Sequence, residues 1–233
     1  MKLNHRCLGV AALFASLQML CAGDITGKIT LKGTPPPEKD LPLASDPVCG
    51  KIHPTKKTRL YIVGKSGELA DTFIYLKEGV QGNAPAPAQP LLIDLAGCEY
   101  NPYVSGAMVN QKIMVRNSDP VLHNIHVMPA NAGNKESNTA QLPKSKDLEF
   151  SFATEEPFLK FKCDVHPWMF SYVSILKHPY FAVSGTDGTF KIANVPPGKY
   201  TVEAVHRKAG KQTMEIEVPA TGAKEASFTL EAK

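Results

Sequence analysis

Three residues at intervals of three carry donor types that could act together: Cys163, His166 and Met169, in the run Lys162-Cys163-Asp164-Val165-His166-Pro167-Trp168-Met169. A thiolate, two imidazoles and a weak axial thioether form the trigonal set of copper electron-transfer sites. Zinc accepts cysteine and histidine, but its usual ligands do not include methionine. A methionine alone is core filler by default, whereas one at this spacing after Cys163 and His166 is a ligand candidate. A fourth donor must come from elsewhere, and Leu122-His123-Asn124-Ile125-His126 offers two histidines. On an extended chain, positions three apart face opposite sides, so one of the two points inward. His123 shares parity with apolar Ile125 and Val127 and is the inward candidate; His126 is expected to be a satisfied or exposed residue, as are His53, His178 and His206. The expected set is therefore His123, Cys163, His166 and Met169 around one copper ion cycling between Cu(I) and Cu(II).

Such a set needs a rigid frame, and the sequence reads as strand and turn throughout. Ile113 and Val115 alternate with Lys112 and Arg116, and Phe150 and Phe152 with Glu149 and Ser151. Leu159, Phe161 and Cys163 fall on one face between Lys160 and Lys162. Half-buried strands of a sandwich require this alternation. Cys163 thus leaves its strand pointing into one end of a sandwich, and Pro167 stiffens the loop that returns His166 and Met169 to it. Shorter strand-like runs are expected at Ile25 to Leu31, Thr58 to Val63 and Thr72 to Leu76. Gly33 to Pro47, Gly82 to Pro90 and Asn131 to Lys146 read as loops. No helix-period pattern of useful length occurs, so the expected class is all-β. After His178 the strands shorten. Asp187-Gly188 between Tyr180–Val183 and Thr189–Ile192 signals a hairpin, and Pro196-Pro197-Gly198 suits a type II turn.

The chain divides into residues 1–22, 23–90, 91–178 and 179–233. The first reads as an export signal: Lys2 and Arg6, an apolar stretch Cys7 to Leu20, then the small residues Ala22 and Gly23. That stretch is interrupted by Ser16 and Gln18 and is short for a membrane span. The expected mature protein is periplasmic or secreted, with no stable membrane span. Removing Lys2 and Arg6 leaves 24 basic against 22 acidic side chains, a net charge of +2. Such a balance gives no reason to propose nucleic acid as a partner. Lys51, Lys56, Lys57 and Arg59 read as a solvated loop. Cleavage also removes Cys7 and Cys21, leaving Cys49, Cys98 and Cys163, which cannot all pair. In an oxidising compartment the expected disulfide is Cys49–Cys98, with Cys163 kept for metal. Separate buried thiols, or Cys49 acting with His53 on a metal, are the other readings.

The Cys-x-x-His-Pro-x-Met loop and the upstream Leu-His-Asn-Ile-His resemble the cupredoxin family, nearest to amicyanin, pseudoazurin or plastocyanin, most strongly over Gly97 to Lys177. The resemblance implies a Greek-key copper sandwich over residues 91–178, with residues 23–90 part of it or packed on it. It implies the same four ligands, and a role for Asn124 in tying the histidine segment to the cysteine loop. Asp164 departs from the small hydroxyl residues common after the family's cysteine, so the surroundings of the metal are expected to differ there. Residues 179–233, with Asp-Gly-x-Phe and Val-Pro-Pro-Gly-x-Tyr, resemble the transthyretin-like or carboxypeptidase regulatory-like module, which says little about function.

The resemblance implies a non-enzymatic, blue copper carrier passing single electrons between redox partner proteins. A copper delivery protein, or a structural sandwich with a vestigial metal loop, are the alternatives. No His/Asp/Ser set has the context of an enzyme site. The outer edge of His166 is expected to reach the surface through an apolar collar of Pro167, Trp168 and Leu122, extended by Val121 and Pro129, where partners would dock.

Overall fold

Strand alternation in the sequence carries over into the architecture. The computed structural model describes residues 22–82 and 84–233, and nearly all regular structure there is β. Two strands come early, β1 (Gly23–Lys32) and β2 (Phe73–Glu78), with a short 3-10 turn (Leu43–Ser45) and the four-residue α1 (Cys49–Ile52) between them. Nine follow: β3 (Leu91–Leu95), β4 (Tyr100–Asn101), β5 (Val104–Met108), β6 (Ile113–Asn117), β7 (His123–Met128), β8 (Ser137–Gln141), β9 (Leu148–Phe150), β10 (Glu156–Lys162) and β11 (Phe170–Leu176). The last six are β12 (Phe181–Val183), β13 (Thr189–Val195), β14 (Gly198–His206), β15 (Gly210–Val218), β16 (Ala223–Glu225) and β17 (Phe228–Glu231).

These strands form two sandwiches. In the first, sheets ordered β4-β3-β6-β9 and β5-β11-β10-β7-β8 close over Ile93, Leu95, Ile113, Val115, Ile125, Val127, Leu159 and Phe161. Burying each such side chain stabilises by roughly 1.5–3 kcal/mol before the cost of ordering it. Alternation aims them inward: on β10, Leu159 and Phe161 are fully buried while Lys160 and Lys162 are not. In the second, β13-β1-β16, with β17 also on β1, faces β12-β2-β14-β15 across Ile25, Ile29, Ile74, Leu76, Ile192, Val202 and Phe228.

Four details differ from the sequence reading. The two early strands do not join the first sandwich, although Leu43 and Cys49 between them pack in its core: β1 pairs with β13, β16 and β17, and β2 with β12 and β14. Residues 179–233 therefore have two strands of residues 23–90 in their own sheets. The apolar faces of β13, β14 and β17 are completed by Ile25, Ile29 and Ile74 from far upstream, a pairing that no local pattern reveals. Second, Asp187-Gly188 does turn the chain, with Gly188 at φ +74°, but no hairpin results. Its flanking strands diverge, β12 to β2 and β13 to β1. Third, Thr58–Val63 is no strand. The backbone N–H groups of Leu60 and Tyr61 donate to the Glu38 carboxylate at 3.0 and 2.6 Å, which satisfies them without a ladder. Fourth, the polar stretch Asn131–Lys146 contains β8, an edge strand paired with β7 from His123 to Val127. The backbone ladder and the polar side chains of Asn138 and Gln141, which bond to Asp164 and to the Val115 carbonyl, hold it, so it shows no apolar alternation.

An aromatic seam joins the sandwiches. Phe73, Tyr103, Val104 and Leu176 are buried there with Phe158, Phe170, Tyr172 and Phe181 against them. The Arg207 guanidinium lies 4.8 Å from the Phe170 ring centre and 5.1 Å from that of Tyr172, at cation–π range. Gly106 is required at this seam, since a Cβ there would stand 2.5 Å from Phe181 and 2.8 Å from Phe73.

Candidate metal centre

Cys163 follows β10 on its buried face, and the loop after it folds back on itself. The Met169 N–H donates to the His166 carbonyl at 2.8 Å, and the Cys163 N–H to the Met169 carbonyl at 3.0 Å. This tight turn brings His166 beside Cys163, with Nδ1 at 3.6 Å from Sγ. On the neighbouring strand of the same sheet, β7 starts at His123, whose Nδ1 lies 3.0 Å from the Nδ1 of His166. The Sγ of Cys163 and one ring nitrogen of each histidine all lie within 4.8 Å of one another. All three side chains are buried, as is Met169, which packs in the same core. His123, Cys163 and His166 thus stand together, and Met169 closes their loop.

Each imidazole is held from behind by a carboxylate. His123 Nε2 lies 2.9 Å from Asp119 Oδ2, and His166 Nε2 lies 3.3 Å from Asp46 Oδ2. A neutral imidazole has one N–H, and a carboxylate partner draws it to Nε2. Both Nδ1 atoms are then bare lone pairs, 3.0 Å apart, with a sulfur beside them. Such a convergence of acceptors in a buried site is costly unless a cation sits among them. The donor set fits a soft or borderline metal ion, and the site has the carboxylate-backed histidines typical of metal ligands.

The same contacts move the titration of these groups. Burial works against the Cys163 thiolate, but the adjoining His123 and His166 rings and the Asn124 and His166 backbone N–H groups outweigh it. The thiol is lowered to about 7. Burial opposes charge on His123, yet its bonds to Asp119 and Cys163 prevail and raise it. Burial likewise pushes Asp119 up, while His123 and the N–H groups of Cys98 and Gly97 pull it further down. The Cys49 N–H is the largest influence holding Asp46 below the usual carboxylate range.

Asn124 ties the His123 and Cys163 segments together: its Oδ1 accepts the Asp164 N–H at 2.6 Å. The buried Tyr100 hydroxyl donates to the carbonyls of Asn124 at 2.8 Å and Lys162 at 3.0 Å. Burial raises this phenol, so it remains a donor. Asp164 points outward and receives Lys162 Nζ at 2.7 Å and Asn138 Nδ2 at 2.7 Å. His126 faces away from the centre, with Asp164 at 2.8 Å from one ring nitrogen and Glu136 at 2.7 Å from the other.

The expected docking collar needs correction. His166 is only 1 % exposed, because Asp46 and the segment around α1 lie over its outer edge. That segment is fastened by a disulfide between Cys49 and Cys98, which leaves Cys163 as a buried free thiol. Pro167 is exposed, while Trp168 and Leu122 are half-buried. Trp168 donates its Nε1–H to the Cys98 carbonyl at 3.2 Å. Its ring lies 5.2 Å from that of His166 between centres. With Pro42, Tyr100, Tyr103, Pro167 and Phe170 it lines a groove of about 400 Å³. Among the remaining histidines, His53 is half-buried and His178 and His206 are buried.

Sequence reasoning missed Asp46, Asp119, Asn138 and Tyr100. Asp119 had one local signal, lying four residues before His123. Asp46 lies 120 positions from His166, and nothing local could have joined them.

No family model and no curated protein matches this chain. Part of it is similar to solved structures of copper proteins, at low identity. A Cu-containing nitrite reductase (NirK) from Thermus scotoductus SA-01 aligns at 17% identity over 45% of this chain and 25% of that one, with a TM-score of 0.35. A purple cupredoxin from Nitrosopumilus maritimus aligns at 23% identity over 36% of this chain and 98% of its own, with a TM-score of 0.31. A reduced amicyanin mutant aligns at 16% identity over 44% and 97%, with a TM-score of 0.34. The chain spans a quarter of the length of the nitrite reductase. Among the described residues, no helix is long and apolar enough to cross a membrane.

Proposed function

We propose that this chain is an exported blue copper protein that passes single electrons between redox partners and is not itself an enzyme. One observation carries the reading: two imidazole Nδ1 atoms face each other at 3.0 Å, both backed by carboxylates, with a buried thiol at 3.6 Å. His123, Cys163 and His166 would hold the ion, with Met169 as the weak fourth ligand, and bound copper supplies the one-electron chemistry.

The chain's part is to keep these donors still. His123 is fixed by Asp119 and by the register of β7, and Cys163 by the Asn124 bond across to Asp164. His166 is fixed by Asp46 and by the bond from the Met169 N–H. A site whose donors are already placed needs little rearrangement when the charge on the metal changes. Burial excludes water, and Tyr100 pins the carbonyls of both ligand strands. In this reading the first sandwich is of Greek-key cupredoxin type, and the second is a transthyretin-like module beside it. The chain works in the periplasm or outside the cell, as the N-terminal segment suggests; residues 1–21 of that segment lie outside those described.

Adding Cu(II) to the metal-free mature protein should give strong thiolate-to-copper absorption near ~600 nm, as expected if Cys163 holds the ion with His123 and His166. Cys163→Ser should remove the colour and leave the fold intact. A colourless wild type with one Cu(II) bound would refute the reading. Loss of colour in His126→Ala with its retention in His123→Ala would refute the ligand assignment.

A further inference from the structure

The two carboxylates behind the ligand histidines come from distant parts of the chain, and both are anchored on the same disulfide. Asp46 Oδ1 accepts the backbone N–H groups of Val48 and Cys49, each at 2.8 Å, while its Oδ2 faces His166. Asp119 accepts the N–H of Gly97 at 2.6 Å and that of Cys98 at 2.8 Å, while its Oδ2 faces His123. Each half-cystine therefore donates its backbone N–H to the carboxylate that orients one ligand. The sulfurs are close as well: Cys49 Sγ lies within 4.8 Å of an Asp46 oxygen and a His166 nitrogen, and Cys98 Sγ equally near Asp119 and His123. The Cys98 carbonyl accepts from Trp168 in the ligand loop. Gly97 and Cys98 both adopt positive φ, +68° and +57°, which turns consecutive N–H groups onto Asp119. A non-glycine residue in that region is strained, so the surrounding contacts hold Cys98 there.

We infer that the Cys49–Cys98 disulfide is a positioning element of the metal centre: it holds Asp46 and Asp119 in register, and through them fixes the tautomer and direction of both ligand imidazoles. The inference rests on the reading of His123 and His166 as metal ligands. Cross-linking the α1 segment to the Gly97–Cys98 turn stabilises the chain, but stability alone needs no carboxylate aimed at a ligand. With the bridge intact, both Nε2–H groups are held by carboxylates and both Nδ1 atoms stay bare. With it cut, the α1 segment is free to leave His166, Asp46 goes with it, and the proton can move to Nδ1.

The test uses the full mature chain, first free of metal. Imidazole ¹⁵N NMR of the wild type should show the Nε2–H tautomer at both His123 and His166. In Asp46→Asn the new carboxamide keeps an oxygen for the Val48 and Cys49 N–H groups but presents an NH₂ to His166. His166 should shift to the Nδ1–H tautomer while His123 does not. In Cys49→Ala/Cys98→Ala both histidines should lose their single tautomer. Titrated with Cu(II), both variants should bind at least about tenfold more weakly, the scale on which such supporting partners act. Wild-type tautomers and copper affinity within twofold in a folded Cys49→Ala/Cys98→Ala would overturn the inference. Should that variant fail to fold, Asp46→Asn decides it, and an unchanged His166 tautomer overturns it. A wild type that binds no Cu(II) yet shows both Nε2–H tautomers would sink the copper reading and leave the clamp standing.

Discussion

Loading the centre with copper must strip any proton from Cys163, because the thiolate is the ligand. The number of protons released therefore reports how the empty site holds that thiol. Burial pushes this thiol up, while the adjoining His123 and His166 rings and the Asn124 and His166 backbone N–H groups pull it down to about 7, well below the ordinary thiol range. At pH 8 a thiol titrating near 7 is about nine-tenths ionised, so loading should release only about a tenth of a proton from it. A thiol at the ordinary value would be about nine-tenths protonated there and release nearly a whole one. At pH 6 both release about nine-tenths or more, and raised His123 adds a further fraction. The expected result is a steep fall in proton release between pH 6 and pH 8. Calorimetry of Cu(II) binding in two buffers of different ionisation enthalpy counts these protons directly. A release that stays near one at pH 8 would show that the hydrogen bonds around Cys163 do not outweigh its burial.

Three further outcomes follow from the structure. His206 is buried in the second sandwich, stacked on Tyr61 at 5.4 Å, and burial is the largest cause lowering it to about 4. The unfolded chain then binds the proton that the folded chain refuses, so stability is full above about 6.5 and falls as pH drops toward 4, by about 3 kcal/mol at most. His206→Asn keeps an acceptor for the Ala209 N–H, bonded at 3.1 Å; it should flatten thermal unfolding across that window, and an unchanged pH slope would refute the assignment. His126 is raised, chiefly by its bond to Glu136, which with Asp164 outweighs the opposing effect of burial. Its proton should be lost above 6.5 in an NMR titration and lost earlier in Glu136→Gln. Trp168→Ala should cost about 1 kcal/mol for its hydrogen bond and slow electron exchange with a physiological partner while the copper absorption persists. A large stability loss with unaltered exchange would make Trp168 a packing residue and send electrons by another route.

The spacing of Cys163, His166 and Met169, and the parity of His123 with Ile125 and Val127, were legible because donors within a tight loop or along one strand obey local geometry. So was the all-β class: the alternation on β6 and β10 is a property of consecutive residues. The odd cysteine count pointed to one unpaired thiol, and the spacing to His166 and Met169 indicated Cys163, which the structure leaves free beside the Cys49–Cys98 bridge. What lay beyond the sequence was everything joined across distance. The pairing of β1 with β13 and β17 places upstream residues in the second sandwich, because its exposed apolar faces are completed by whichever strands reach them. The backbone of Asn131–Lys146 found a sheet edge that its polar side chains did not advertise. Above all, Asp46 covers His166 because a disulfide spanning 49 positions holds its segment against the ligand loop. Local pattern encodes which face a side chain takes, but the neighbours of an imidazole depend on chain segments meeting in space, and only the tertiary structure decides that.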